Sequence, residues 1–215
     1  MINIYVYPFF IIFSFFLIYI GVIRAMKFAG LKIKIFSILI FFSLICRYLS
    51  LTILMTSKNI ILLYMLKPFF YLNYLSIPII SMITIYIIMR NEKFNFNNIF
   101  IVSLVFILLY CGMIYLMPSY IKLSNYYGYK MYLQSPEYFY LFKAFINTLF
   151  LIFAIRLLDR SYLDKKGIYL IIVAAILAIV EIVLTILGLR IFQENVLSDF
   201  SWILVFIYAL YMPKK

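Results

Sequence analysis

Seven long apolar segments lie between Ile4 and Met212, and the turns between them alternate between basic and nearly neutral. A helix needs about 20 apolar residues to cross the hydrocarbon core, so segments of this length and character are expected to span a bilayer. The expected helices are 4–23, 35–55, 60–89, 98–117, 138–158, 168–189 and 196–212. One set of alternate turns, with the tail, holds Arg24, Lys27, Lys32, Lys34, Arg90, Lys93, Arg156, Arg160, Lys165, Lys166, Lys214 and Lys215. The other set holds only Lys58, Lys122, Lys130 and Arg190. Lysine and arginine concentrate in cytoplasmic loops. The expected product is therefore an all-α, seven-helix integral protein of the plasma membrane, amino terminus outside and carboxyl terminus in the cytoplasm.

Composition supports this class. Hydrophobic residues make up 68% of 215 positions and charged residues only 12%, too apolar a balance for a soluble domain of this size. The excess of Ile, Phe, Tyr, Asn and Lys over Ala, Gly and Arg points to a low-GC bacterial coding bias. A net charge of +12 would suggest nucleic acid in a soluble protein. Here the loop pattern accounts for it, and anionic lipid headgroups on the cytoplasmic face are the expected partner. Met1 to Tyr7 carries no positive charge and no small-residue cleavage pattern follows, so the first segment reads as an anchor rather than a removable signal. No soluble domain is expected on either side.

Two segments strain the pattern. The third, at thirty residues, would rise about 45 Å against a core of about 30 Å. It is expected to project above the bilayer or to kink at Pro68 and Pro78. The seventh offers only thirteen apolar residues from Phe200, so Asp199 must enter the membrane face. The longest loop, Pro118 to Glu137, carries Tyr120, Tyr126, Tyr127, Tyr129 and Tyr132 around Gly128. It reads either as an interfacial loop with its rings on the headgroups or as a lid over an outward pocket.

Charges inside the apolar segments are the candidate functional residues, because an ionised group at the helix centre costs roughly 2.5–3.5 kcal/mol even on the mild insertion scale. They are Arg47, Lys67, Lys143 and Glu181, with Asn73 and Asn147 at compatible depths and Asp199 able to join. Counting residues from the helix ends places Arg47 and Glu181 at equal depth, about 12 Å below the outer surface. Two readings follow. In one, Glu181 pairs with Arg47 and the lysines are free for an anionic or zwitterionic small ligand in an outward pocket. In the other, the pair fixes helix packing and Lys67 and Lys143 snorkel to the interface.

Catalytic signals are absent from the sequence. There is no His, no paired intramembrane carboxylate beside Glu181, no Gly-rich phosphate loop and no clustered Asp; Asp159 and Asp164 stand apart among bases. Cys46 and Cys111 lie in apolar segments and read as small hydrophobes. No cofactor or metal is implied.

The stretch KPFFYLNYLSIPIISMITIYIIMR, Lys67 to Arg90, resembles the third helix of the seven-helix sensory region at the amino end of some bacterial histidine kinases. The number of segments and the outward amino terminus are also similar. The resemblance implies a receptor-like sensory module. It departs from that family in that no output domain is expected after Met212, which would call for a separate effector. The alternative is a small transporter, or a membrane subunit of a transporter or cell-envelope complex. Helices one to three compared with five to seven match only in placing Arg47 and Glu181 alike, and the Pro-Gln signature of the three-plus-one-plus-three sugar transporters is missing.

Overall fold

The computed structural model describes residues 2–89, 96–124, 128–134, 136–189 and 195–212. Its elements, in chain order, are α1 (Ile2–Phe28), α2 (Leu31–Thr56), α3 (Ile60–Met65), α4 (Lys67–Phe70), α5 (Asn73–Met89), α6 (Phe96–Leu116), β1 (Ser119–Ser124), β2 (Gly128–Leu133), α7 (Glu137–Leu158), α8 (Lys165–Ile186) and α9 (Val196–Tyr211). Six helical stretches are long and apolar enough to cross a membrane, with α4 and α5 counted together as one. The shorter apolar helix is α9, whose 16 residues rise about 24 Å.

The short helix sits at the centre, which is why it tolerates being short. Trp202, Ile203, Phe206 and Ala209 of α9 are sealed on every side, and α9 packs against α1, α5 and α8. The neighbours present matching stripes. On α1 the buried positions Tyr7, Ile11, Ser14, Ile18 and Ala25 recur every three, four or seven residues, the period of one helix face. On α8, Ala174, Ala175 and Ala178 line the buried face and let the backbones of neighbouring helices approach closely. Gly21 of α1 receives the ring of Phe41 from α2, and that ring in turn packs 5.4 Å from Phe206. By contrast α6 buries only Ile99 and Ser103 among its described residues and packs on α5.

The long third segment does not remain one helix. It breaks after Met65 and again at Tyr71-Leu72, giving α3, α4 and α5. Pro68 sits in the first turn of α4, where a missing N–H costs nothing. Pro78 stays inside α5. The tyrosine-rich loop is also more ordered than either reading of it assumed. It folds as an antiparallel hairpin, with Ser119 opposite Leu133 and Ser124 opposite Gly128. Met131 and Leu133 are buried, and the Tyr120 and Tyr132 rings stack 5.5 Å apart. Gly128 lies against the end of α2 with φ at +73°; a Cβ there would meet the Met55 carbonyl at 2.8 Å. Both the backbone angle and the close approach require glycine. Tyr126 and Tyr127 fall outside the described residues.

The two ends of the bundle differ. The hairpin covers one end. At the other, the Arg24 guanidinium lies 4.5 Å from the Tyr211 ring, and Asp164 caps α8 at the Gly167 N–H while accepting from the Tyr208 hydroxyl. Arg24, Lys27, Lys32, Lys34, Lys165 and Lys166 belong to the terminal turns of helices at this basic end rather than to free loops. Arg90, Lys93, Arg190, Lys214 and Lys215 lie outside the described residues.

Candidate functional site

Four ionisable side chains converge below the hairpin, and their formal charges cancel. Arg47 of α2 and Asp199 of α9 are fully buried; Lys143 of α7 and Glu181 of α8 are each 6% exposed. The Arg47 guanidinium lies 2.6 Å from Asp199 Oδ2, and the Lys143 ammonium lies 3.4 Å from Asp199 Oδ1. A second guanidinium nitrogen of Arg47 donates to the carbonyl of Phe70 at 3.0 Å. That carbonyl is available because α4 ends at Phe70, an example of interrupted helix supplying backbone acceptors inside a bundle.

The expected Arg47–Glu181 ion pair is not formed. Glu181 instead accepts from the backbone N–H groups of Leu197, at 3.3 Å, and Ser198, at 2.7 Å. These are two of the orphan donors in the first turn of α9, whose own N-cap residue, Asn195, is left-handed and provides no side-chain cap. A carboxylate from α8 therefore caps α9 and faces the positive end of its dipole. The depth count failed because α8 ends at Ile186 rather than at 189. Glu181 lies five residues, about 7.5 Å, from its helix end, while Arg47 lies nine residues, about 13.5 Å, from Thr56. The first turn of α9 is itself buried, from Asn195 and Val196 to Ser198 and Asp199, and it is Asp199, not Glu181, that pairs with Arg47.

Lys67 occupies a separate site. Its ammonium donates to the carbonyls of Ile114, at 2.7 Å, and Met117, at 2.5 Å, satisfying acceptors at the end of α6. The Tyr110 hydroxyl of α6 donates in return to the Pro68 carbonyl. Lys67 and Pro68 thus fasten α4 to α6 near the hairpin. Lys67 neither joins the four-charge cluster nor ends in bulk water.

The amides organise the other side of the cluster. Asn147 donates to the Lys143 carbonyl at 2.8 Å, one turn back on α7, and accepts from the Trp202 indole N–H at 3.1 Å. Asn73, at the start of α5, is 1% exposed, and its Oδ1 has no hydrogen-bond partner among the described residues. Asn73, Lys143 and Asn147 line a narrow cleft between α5 and α7 with a volume of about 10 Å³, room for about one water molecule, with Tyr74, Ser81 and Phe150 also in its wall. Arg47, Lys67 and Glu181 are not in that wall. The six expected residues therefore divide between three places: the cavity, the ion-paired core with its α9 cap, and the α4–α6 clamp.

Asp199 was visible in sequence as an acid able to join the polar layer from the start of a short apolar helix, but its pairing with both Arg47 and Lys143 was not. Trp202, three residues on and so on the same helix face, was not visible as a partner of Asn147. Cys46 and Cys111 are both free. The chain matches no family model, no curated protein and no solved structure.

Proposed function

We propose that this chain is a non-enzymatic, receptor-like module of the bacterial plasma membrane. In this reading all seven apolar helical stretches cross the bilayer, the hairpin end faces outside and the basic end meets anionic headgroups in the cytoplasm. The ligand is a small zwitterionic or anionic solute that enters by parting α5 from α7, since the cleft between them at rest has room for only about one water molecule. One observation carries the reading: among the described residues Asn73 Oδ1 is a buried acceptor without a hydrogen-bond partner, in the wall of a cleft that Lys143 also lines. A buried amide left unsatisfied costs about 1–3 kcal/mol, which a ligand donor would recover.

Lys143 is the more loosely held partner of Asp199, at 3.4 Å against 2.6 Å for Arg47. A ligand carboxylate would draw Lys143 away and leave Asp199 to Arg47, which also donates to the carbonyl at the α4–α5 break. This gives a local charge change a route to a helix junction, as a switch requires.

Cysteine accessibility tests the entry route. In a background with Cys46→Ala and Cys111→Ala, Asn73→Cys should react with a membrane-impermeant thiol reagent from the outside well above the rate of Ile80→Cys, a fully buried control on the same helix. Equal rates would remove the solute pathway.

The exposure of α6 supports a second reading, a membrane subunit of a transporter or cell-envelope complex. Its outer face, with Phe100, Ile101, Leu104, Val105 and Leu108 exposed, is open to another chain. Co-purification of a stoichiometric membrane partner, lost on Leu108→Arg in the exposed face of α6, would favour it.

A further inference from the structure

We infer that the groove at the basic end between α5, α6 and α7 is a binding site for one anionic phospholipid, with an acyl chain in the groove and the phosphate at Arg156. The groove has a volume of about 350 Å³. Its walls are Ile85, Tyr86 and Met89 of α5, Ile99 of α6, and Ile152 and Phe153 of α7. It exists because α5 and α7 approach each other only sparsely, while α6 packs mainly on α5. An apolar slot open to the hydrocarbon fills with a hydrocarbon chain, since neither water nor a polar solute gains by entering it.

The polar side chains of the lining identify the headgroup. Arg156 stands in the last turn of α7, at the mouth of the groove, exposed and without a hydrogen bond or ion pair to any described residue. Tyr86 lies across from it on α5, one turn before the helix ends. A guanidinium and a phenol at headgroup depth, above an apolar slot, match a phosphate ester attached to an acyl chain. The arginine fork binds phosphate oxygens in pairs, so the site selects a net negative lipid over a zwitterionic one of the same chain length.

At its deep end the groove shares the Phe150 ring with the cavity that holds Lys143 and Asn147. That ring packs edge-on to Trp202, 5.8 Å away. The acyl chain would therefore end against the same ring that lines the cleft beside Lys143 and Asn147, although the lipid site stands on its own geometry and does not depend on a solute binding above it.

Native mass spectrometry of the full chain released from nanodiscs tests the site, using equimolar phosphatidylglycerol and phosphatidylcholine with identical acyl chains. The wild-type chain should retain one phosphatidylglycerol in preference to phosphatidylcholine. Arg156→Gln should reduce that preference by roughly fivefold, the factor matching about 1 kcal/mol per basic side chain near anionic lipid. Arg160→Gln, outside the groove and bonded to the Tyr162 hydroxyl, should leave it unchanged. Ile152→Trp should lower retention of both lipids by filling the slot. Equal retention of the two lipids by the wild type, an unchanged preference in Arg156→Gln, or equal losses in the two arginine variants would each overturn the assignment.

Discussion

Arg47 and Asp199 meet at 2.6 Å with both side chains completely buried, although they come from helices separated by most of the chain. Removing one partner of such a pair leaves a charge with no water to solvate it, which costs about 3–5 kcal/mol. Arg47→Gln and Asp199→Asn should each lower the melting temperature in detergent substantially. The double variant should be less destabilised than the sum, with a coupling of about 2 kcal/mol or more. Glu181→Gln combined with Arg47→Gln should show a smaller coupling, because those two groups are not paired. Additive losses for the Arg47–Asp199 pair would refute the arrangement.

Glu181 serves as a cap rather than as the counter-ion of Arg47. Glu181→Gln keeps a carbonyl acceptor for the Leu197 and Ser198 N–H groups but loses the charge. It should cost less than Glu181→Ala, which leaves both donors bare and should destabilise by about 1–3 kcal/mol. Hydrogen exchange at Leu197 and Ser198 would rise in the alanine variant ahead of exchange in α1. Unchanged protection at these two amides would show that the cap is not used.

The Gly21–Phe41 contact fixes how α1 lies on α2. Gly21→Leu must displace a fully buried ring that also packs on Phe206 of the central helix. The expected cost is about 1–3 kcal/mol, as for other overpacked cores. Pairing Gly21→Leu with Phe41→Ala should recover part of the loss. Thermal unfolding of the single and double variants measures this, and a neutral Gly21→Leu would show that the two helices are not held there.

The fold was legible in sequence where physics is local, and the site was not where geometry is long-range. Apolar runs set the helices, and Lys67-Pro68 marked the break that separates α3 from α4. The hairpin escaped because its strands are short and polar on one side, and their register depends on Gly128 docking against Met55. Arg47, Lys143 and Asn147 were identifiable as buried polar residues, since their type is improbable inside an apolar helix. Their partners were not, because a shift of three residues in the end of α8 moves Glu181 by about 4.5 Å, enough to exchange one carboxylate for another. Lys67 was misread as free because orphan helix carbonyls carry no sequence signal.

Orientation rests on the basic bias and is open to a direct check. Single cysteines at Lys122, on the hairpin, and at Lys166, in the first turn of α8, should label from opposite sides of the membrane in a background without Cys46 and Cys111. Position 122 should react in intact cells and position 166 only after permeabilisation. Labelling of position 166 in intact cells would reverse the assignment.

The most direct test of the receptor reading is ligand-induced thermal stabilisation of the full chain in nanodiscs, across a panel of small amino-acid-like zwitterions and carboxylates. At a hundredfold excess over Kd, a true ligand should raise the melting temperature by about 5 °C or more. The rise should vanish in Asn73→Ala and Lys143→Ala and persist in Arg156→Gln. No stabilisation by any panel member, or equal stabilisation of wild type, Asn73→Ala and Lys143→Ala, would contradict a solute site between α5 and α7.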